Sequence, residues 1–191
     1  MRKKTTFVLK FSKKVIQIHD KSFELFIAQD EIKSEINALG KTLNTDYAGK
    51  EVIFIAILNG AFMFASDLMK VVTLPCEVSF VKVSSYQGMN STGRVDELIG
   101  LTSSLKGKHV VLVEDIVDTG ITMDKLFTLL QAEHPESIEI ATLLYKPEAH
   151  KGKHVPKYVG FSIPNSFVVG FGLDYNEHGR NLPEIYQLKA E

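Results

Sequence analysis

A single cysteine, Cys76, is all that the 191 residues contain, which excludes an intramolecular disulfide and a cysteine-rich metal site. It stands among apolar residues and reads as a small buried hydrophobe rather than a nucleophile. An excess of charge of either sign is also lacking. The chain has 22 basic and 23 acidic residues, so its neutral balance gives no electrostatic reason to expect a nucleic-acid partner. No apolar run approaches the length that spans a bilayer. Met1-Arg2-Lys3-Lys4 resembles the charged start of a signal peptide, but Lys10 cuts off Phe7-Val8-Leu9 before an apolar region develops. A cytoplasmic location without membrane contact is expected, and the sequon Asn90-Ser91-Thr92 then has no consequence. A Walker P-loop, a GxGxxG fingerprint, internal repeats and interdomain linkers are absent too. The ordinary nucleotide-hydrolysing and dinucleotide-binding folds therefore lose their main support.

What is present is an alternation of strands and helices. Val52-Ile53-Phe54-Ile55-Ala56-Ile57-Leu58 is a continuous apolar run, the pattern of a strand buried on both faces. Asn59-Gly60 breaks it, and Ala61, Phe64, Ala65 and Leu68 follow at helical spacing. A helix is expected from about Ser22 to Leu43, with Ile32, Ile36, Leu39 and Leu43 on one face and Gly40 weakening its last turn. Further strands are expected at Val78–Val83, Ile138–Tyr145, Tyr158–Ile163 and Phe167–Val169. A basic and partly alternating first twenty residues suggest a short strand or arm. These elements predict a single α/β domain over residues 1–191 with a mainly parallel sheet, its termini forming a small subdomain.

The chemistry concentrates in Val110-Val111-Leu112-Val113-Glu114-Asp115-Ile116-Val117-Asp118-Thr119-Gly120-Ile121-Thr122-Met123. An apolar strand ends at two adjacent carboxylates, a third follows at Asp118, and a turn leads into a helix marked by Met123, Leu126, Phe127 and Leu130. In an open parallel sheet this is where ligands bind. Unpaired N–H groups and a positive dipole make the helix start a phosphate cradle. Taken singly, each carboxylate reads as an ordinary strand end or helix cap. Three within five residues repel one another and call for a cation or ligand hydroxyls to compensate. The polar stretch from Ser84 to Gly100 is long enough for a lid. His150 and His154 lack a nearby third ligand, and metal binding there is not expected.

These residues carry a resemblance. Val113–Thr122 resembles the phosphoribosyl-pyrophosphate (PRPP) motif of the type I phosphoribosyltransferases. Three further segments narrow it to their hypoxanthine-guanine branch: Leu58-Asn59-Gly60 is similar to the pyrophosphate loop, Ser85-Tyr86 with Ser91-Thr92-Gly93 to the mobile loop, and Phe167-Val168-Val169-Gly170 with Leu173-Asp174-Tyr175-Asn176-Glu177 to the purine-site segment. The pieces occur in family order and cover roughly Val52 to Leu182. The resemblance implies a twisted sheet flanked by helices, with a core of about 45–165 and a hood from the N-terminal segment and about 166–191.

It also implies a reaction, in which a 6-oxopurine (hypoxanthine, with guanine a second substrate) displaces pyrophosphate from PRPP with Mg²⁺, giving IMP or GMP. Glu114 and Asp115 would hold the ribose hydroxyls and stand near the metal, and Asp118 would act as base toward purine N7. Main-chain N–H groups of residues 118–122, with the hydroxyls of Thr119 and Thr122, would hold the 5-phosphate beside Gly120 and Ile121. Asn59, Gly60, Ser85, Tyr86 and Arg180 would hold pyrophosphate, the peptide before Asn59 being cis in some members. Lys146 would read the purine O6, Phe167 would stack on the base, and Val168 would contact it through its main chain. Asp174 would lie at the purine site near the second Mg²⁺. Several members carry Lys where this chain has Asn59 and Ile121. Residues 84–94 would close over the site and exclude water. The family is usually dimeric or tetrameric, so a homodimer or homotetramer is expected. Two other readings are a regulator that keeps the fold but binds RNA or DNA, and a transferase for another base. The neutral charge and the intact acidic motif count against the first; for the second, the purine-site match disfavours a pyrimidine, while the choice among 6-oxopurines such as xanthine depends on contacts to C2 that the sequence does not specify.

Overall fold

The computed structural model of this chain describes residues 14–84, 96–99, 101 and 103–189. The apolar run predicted as a doubly buried strand is β3 (Val52–Leu58), in the middle of a six-stranded sheet. The other strands of that sheet are β4 (Cys76–Ser84), β5 (Asp96–Ile99), β6 (His109–Val117), β7 (Ser137–Tyr145) and β8 (Tyr158–Ser162). Their order is β5-β4-β3-β6-β7-β8. Every neighbouring pair is parallel except β4 with the edge strand β5. In the central register Ile55 lies beside Leu112 on one side and Ser79 on the other.

Alternation along each strand sends successive side chains to opposite faces. Phe54, Ala56, Val111, Val113 and Leu143 pack under α1 (Gln29–Asp46) and α2 (Phe62–Val71), through Ile32, Ile36, Leu43, Phe64 and Leu68. Ile53, Ile55, Val110, Leu112 and Ile140 pack instead against Met123, Leu126 and Leu130 of α3 (Ile121–Gln131). Both faces of the parallel sheet are thus covered.

Four short strands form a second, antiparallel sheet in the order β1-β2-β10-β9: β1 (Val15–Ile18), β2 (Lys21–Ile27), β9 (Val168–Val169) and β10 (Ile185–Leu188). Its own apolar cluster is Ile18, Phe23, Val169 and Tyr186. Ile27, Val168 and Ile185 belong to the larger core, so the two sheets share buried surface.

Two expectations need correction here. The helix expected from Ser22 starts at Gln29, because Phe23, Leu25 and Ile27 follow a period of two and pair with β10. Glu31 marks the real helix start by accepting a hydrogen bond from the main-chain N of Ala28 at 2.9 Å. Gly40 does not weaken a last turn, since α1 continues to Asp46. A Cβ there would collide with Val71, so Gly40 is what lets α1 and α2 approach.

Candidate active site

Strands β3, β6 and β7 are neighbours, so the turns that leave their carboxyl ends lie side by side along one edge of the sheet. The carboxylates of β6 sit earlier than its sequence suggests. Glu114 and Asp115 are inside the strand, which continues through Ile116 and Val117 paired to Leu144 and Tyr145. Val117 is buried in the α3-side core, which explains why the ladder does not stop at the charges.

Their surroundings make ionisation expensive. Burial pushes the Glu114 carboxyl well above the usual range, and the charge of Asp115 adds to it. Its Oε2 is buried with no hydrogen-bond partner. Burial also raises Asp115 to about 6, although its Oδ1 accepts the Ile116 N–H at 2.9 Å and Arg180 works in the opposite direction. Buried carboxylates without full hydrogen bonding are groups awaiting a ligand that can donate to them.

The β3–α2 turn lies directly against them. The Leu58–Asn59 peptide is cis. A Cβ on Gly60 would fall inside the Asp115 carboxylate, and one on Gly172 would strike the carbonyl oxygen of Gly60. Asn59-Gly60, Asp115 and Gly172 therefore converge, though more than fifty residues separate each from the next.

Beyond β6, residues 118–120 form the turn into α3. Gly120 is the helix N-cap and has φ of 78°, a left-handed conformation that L side chains resist. The ring of His150 fills the space a Cβ would need there. The carbonyl of Thr119 accepts hydrogen bonds from Lys151 N (2.9 Å) and Gly152 N (3.0 Å). One turn on, the Asp124 carboxylate accepts from Lys153 N, His154 N and the His154 ring, which stacks on Phe127. The loop after β7 thus clasps the helix start from outside. Thr122 lies in the first turn of α3 beside Ile121, which is 51 % exposed.

The end of β7 supplies Lys146. Its main-chain N donates to the Val117 carbonyl at 3.0 Å, and its buried ammonium donates to Asp118 Oδ2 at 2.7 Å. A donor and an acceptor are thereby held side by side on adjacent strand ends.

The small sheet completes the edge. Phe167 is 47 % exposed just before β9, and Val168 is buried within it. The segment after β9 brings Asp174 and Arg180 together. Arg180 donates to Asp174 at 2.8 Å and to the Gly172 carbonyl at 2.9 Å, while the other Asp174 oxygen accepts Glu177 N. Among the described residues, no three His, Cys, Asp or Glu side chains form a metal-binding cluster by themselves. Ser85 and Tyr86, with the rest of the expected lid through residue 94, lie outside the described residues.

Sequence reasoning missed several of these neighbours. Gly170-Phe171-Gly172 looks negligible as a motif, yet Gly172 is where Arg180 and Gly60 meet the same short segment. His150 gave no signal beyond its distance from a second histidine. Nothing local marks either residue, because their partners are set by the order of the strands.

An open parallel sheet with an acidic strand end, a phosphate-ready helix start and a donor–acceptor pair beside them defines a nucleotide-handling transferase site. The model of the phosphoribosyl transferase domain family matches residues 28–176, and the chain belongs to that family. The hypoxanthine-guanine phosphoribosyltransferase of Staphylococcus aureus (strain Mu50 / ATCC 700699) is 43% identical over 175 residues, which is 91% of this chain and 98% of that protein. The bifunctional protein TilS/HprT of Listeria monocytogenes serotype 4b (strain F2365) is 37% identical over 194 residues, all of this chain and 30% of that protein. A crystal structure of a hypoxanthine phosphoribosyltransferase from Staphylococcus aureus superposes with a TM-score of 0.81 at 44% identity, covering 87% of this chain and 91% of the other.

Proposed function

We infer that this chain is a purine salvage enzyme, a hypoxanthine phosphoribosyltransferase that moves the 5-phosphoribosyl group of PRPP onto a 6-oxopurine and releases pyrophosphate. The observation that carries this is the Lys146–Asp118 pair, 2.7 Å apart at the ends of β7 and β6. A 6-oxopurine with its proton on N7 presents a donor at N7 and an acceptor at O6, side by side. Asp118 accepts the first and Lys146 donates to the second. Adenine places an amino group opposite the ammonium and meets two donors face to face, which is how a buried polar group rejects a near-isostere.

The reaction follows from the same neighbours. The purine N9 lone pair attacks C1 of PRPP as the bond to pyrophosphate breaks, and the ribosyl centre becomes oxocarbenium-like. Glu114 and Asp115, accepting from the ribose 2- and 3-hydroxyls, orient the sugar and place negative charge near the developing cation. Asp118 takes the N7 proton as N9 becomes bonded. The N–H groups of residues 118–122, with the Thr119 and Thr122 hydroxyls, hold the 5-phosphate. Asn59 and Gly60 hold pyrophosphate by main-chain N–H, and Arg180 steadies it with Ser85 and Tyr86. Phe167 stacks on the base and the Val168 main chain meets its edge.

Magnesium, when bound, neutralises pyrophosphate oxygens. Asp174, a carboxylate that pairs with Arg180 at 2.8 Å, offers the oxygen donors this ion prefers and would hold it as a partial ligand, with substrate oxygens supplying the rest for a cation that takes few protein ligands. Among the described residues no helix is long and apolar enough to cross a membrane; a cytoplasmic location is part of the proposal. The small sheet would serve as the hood over the base, and a homodimer or homotetramer without nucleic acid is the expected state.

One assay tests the reading: PRPP and Mg²⁺ with hypoxanthine, guanine, xanthine, adenine and orotate in turn. IMP formation, with GMP from guanine, is expected. Product from adenine or orotate alone would overturn it.

A further inference from the structure

The turn that joins β1 to β2 is His19-Asp20, and it reaches the segment that carries Asp174 and Arg180. The Tyr175 hydroxyl donates to Asp20 Oδ1 at 2.9 Å. Nε2 of His19 lies 2.9 Å from Nδ1 of His178. Tyr175 and His178 are also cross-bonded through their main chains, at 2.9 and 3.1 Å. Between them Asn176 and Glu177 both have positive φ, the signature of a tight hairpin turn. Tyr175 is thus tethered twice, by its backbone in that turn and by its hydroxyl on Asp20.

The Tyr175 ring stands edge-on to Phe167, with centroids 5.9 Å apart and planes at 83°. Phe23, fully buried, is tilted against both rings at 6.3 and 6.1 Å. Phe23 and Tyr175 are thus both ring neighbours of Phe167, which is itself half exposed. A ring that stacks on a ligand binds best when already fixed in place, because ordering it on binding subtracts from affinity. Phe23 is anchored by the core of the small sheet, whereas Tyr175 is partly exposed and depends on its tether.

We propose that Asp20 and Tyr175 are positioning residues for Phe167, so that the N-terminal hairpin sets purine affinity without touching the purine. The proposal rests on reading Phe167 as the base-stacking ring. Asp20 fixes the Tyr175 hydroxyl, Tyr175 fixes the edge of Phe167, and the pre-set ring spares the purine the cost of ordering it.

The test compares Asp20→Ala, Tyr175→Phe and the double variant with the unaltered enzyme, varying hypoxanthine and PRPP separately. KM for hypoxanthine is expected to rise roughly three- to tenfold, while KM for PRPP stays within about twofold. The double variant is expected to match the worse single one, since both remove the same tether. An independent readout uses the absence of tryptophan from the chain: Phe167→Trp supplies a sole tryptophan, which is excited at wavelengths where the six tyrosines do not absorb. Adding Tyr175→Phe or Asp20→Ala to it should lower the emission anisotropy of that tryptophan at fixed temperature. An unchanged KM for hypoxanthine, or both KM values rising together with anisotropy unaltered, overturns the proposal. If the unaltered enzyme makes no IMP, the transferase reading fails instead, and anisotropy alone decides the positioning claim.

Discussion

At the scale of single residues, Asp118 and Asp115 are both acidic but sit in opposite conditions. Asp118 is partly exposed and its Oδ2 accepts from the Lys146 ammonium at 2.7 Å, so it meets both solvent and a donor. Asp118→Asn keeps its size and removes its basicity. We expect turnover to fall by roughly 10²- to 10⁴-fold while KM for PRPP changes little, measured by steady-state IMP formation. Equal activity would remove Asp118 from the proton transfer. Asp115 is buried, and its carboxyl in the folded chain titrates at about 6 against an ordinary 3.8. Between those values the folded state binds more protons than the unfolded chain, so stability is lost as pH rises from about 4 to above 6. At neutral pH the cost to the ligand-free protein is about 3 kcal/mol. Asp115→Asn should therefore raise the thermal midpoint of ligand-free protein at pH 8 by several degrees, and much less at pH 4, while abolishing turnover. A midpoint gain that is the same at both pH values would show that ionisation is not its source.

At the scale of elements, the start of α3 is shaped from two directions. Its own sequence supplies Gly120, which tolerates φ of 78°, and the distant loop after β7 supplies His150, Lys151 and Gly152, which close around that glycine and the Thr119 carbonyl. Gly120→Ala faces a left-handed penalty of about 1–2 kcal/mol and a collision with the His150 ring. Its expected effect is a KM for PRPP raised by tenfold or more, because the phosphate cradle moves. Replacing His150 by Ala in the same chain removes the collision but not the strain, so it should recover part of the loss. No recovery would mean that the backbone conformation alone accounts for the defect. The helix periodicity of α3 was legible from Met123, Leu126 and Leu130, as was the turn before it. The loop that clasps it was not, since Pro147 to Pro156 has no periodic pattern and the hydrogen bonds by which it holds Thr119 and Asp124 span about thirty positions.

At the scale of the whole molecule, the two sheets are joined by shared core rather than by a hinge. Ile27 of β2, Val168 of β9 and Ile185 of β10 pack into the same cluster as Phe54 and Val111 of the large sheet. Exposing that surface would cost roughly 1.5–3 kcal/mol per large apolar side chain. The ligand-free protein is therefore expected to unfold in one cooperative step. Urea curves followed by far-ultraviolet circular dichroism and by tyrosine fluorescence should coincide. Tyr175 and Tyr186 report on the small sheet side, and a separate early tyrosine transition would show that it melts alone.

By itself the sequence determined the strand and helix types, the doubly buried β3 and β6, the acidic turn and the phosphate-ready helix start. Those follow from periodicities of 2 and 3.6, which act over a few residues. It also carried the resemblance through which Lys146, Phe167 and Asp174 were named. It misread residues 22–27 as helix, because their partner β10 is some 160 residues away and pairing outweighs local preference. It ended the strand at Glu114 and Asp115, because it could not see β7 continuing the ladder beside Ile116 and Val117. Only the tertiary structure decided that Gly60 lies under Asp115, that Gly172 meets Gly60, that His150 backs Gly120 and that Asp20 holds Tyr175. Each of those neighbours is distant in the chain, and what brings them together is the order of the strands and the burial of two sheets in one core.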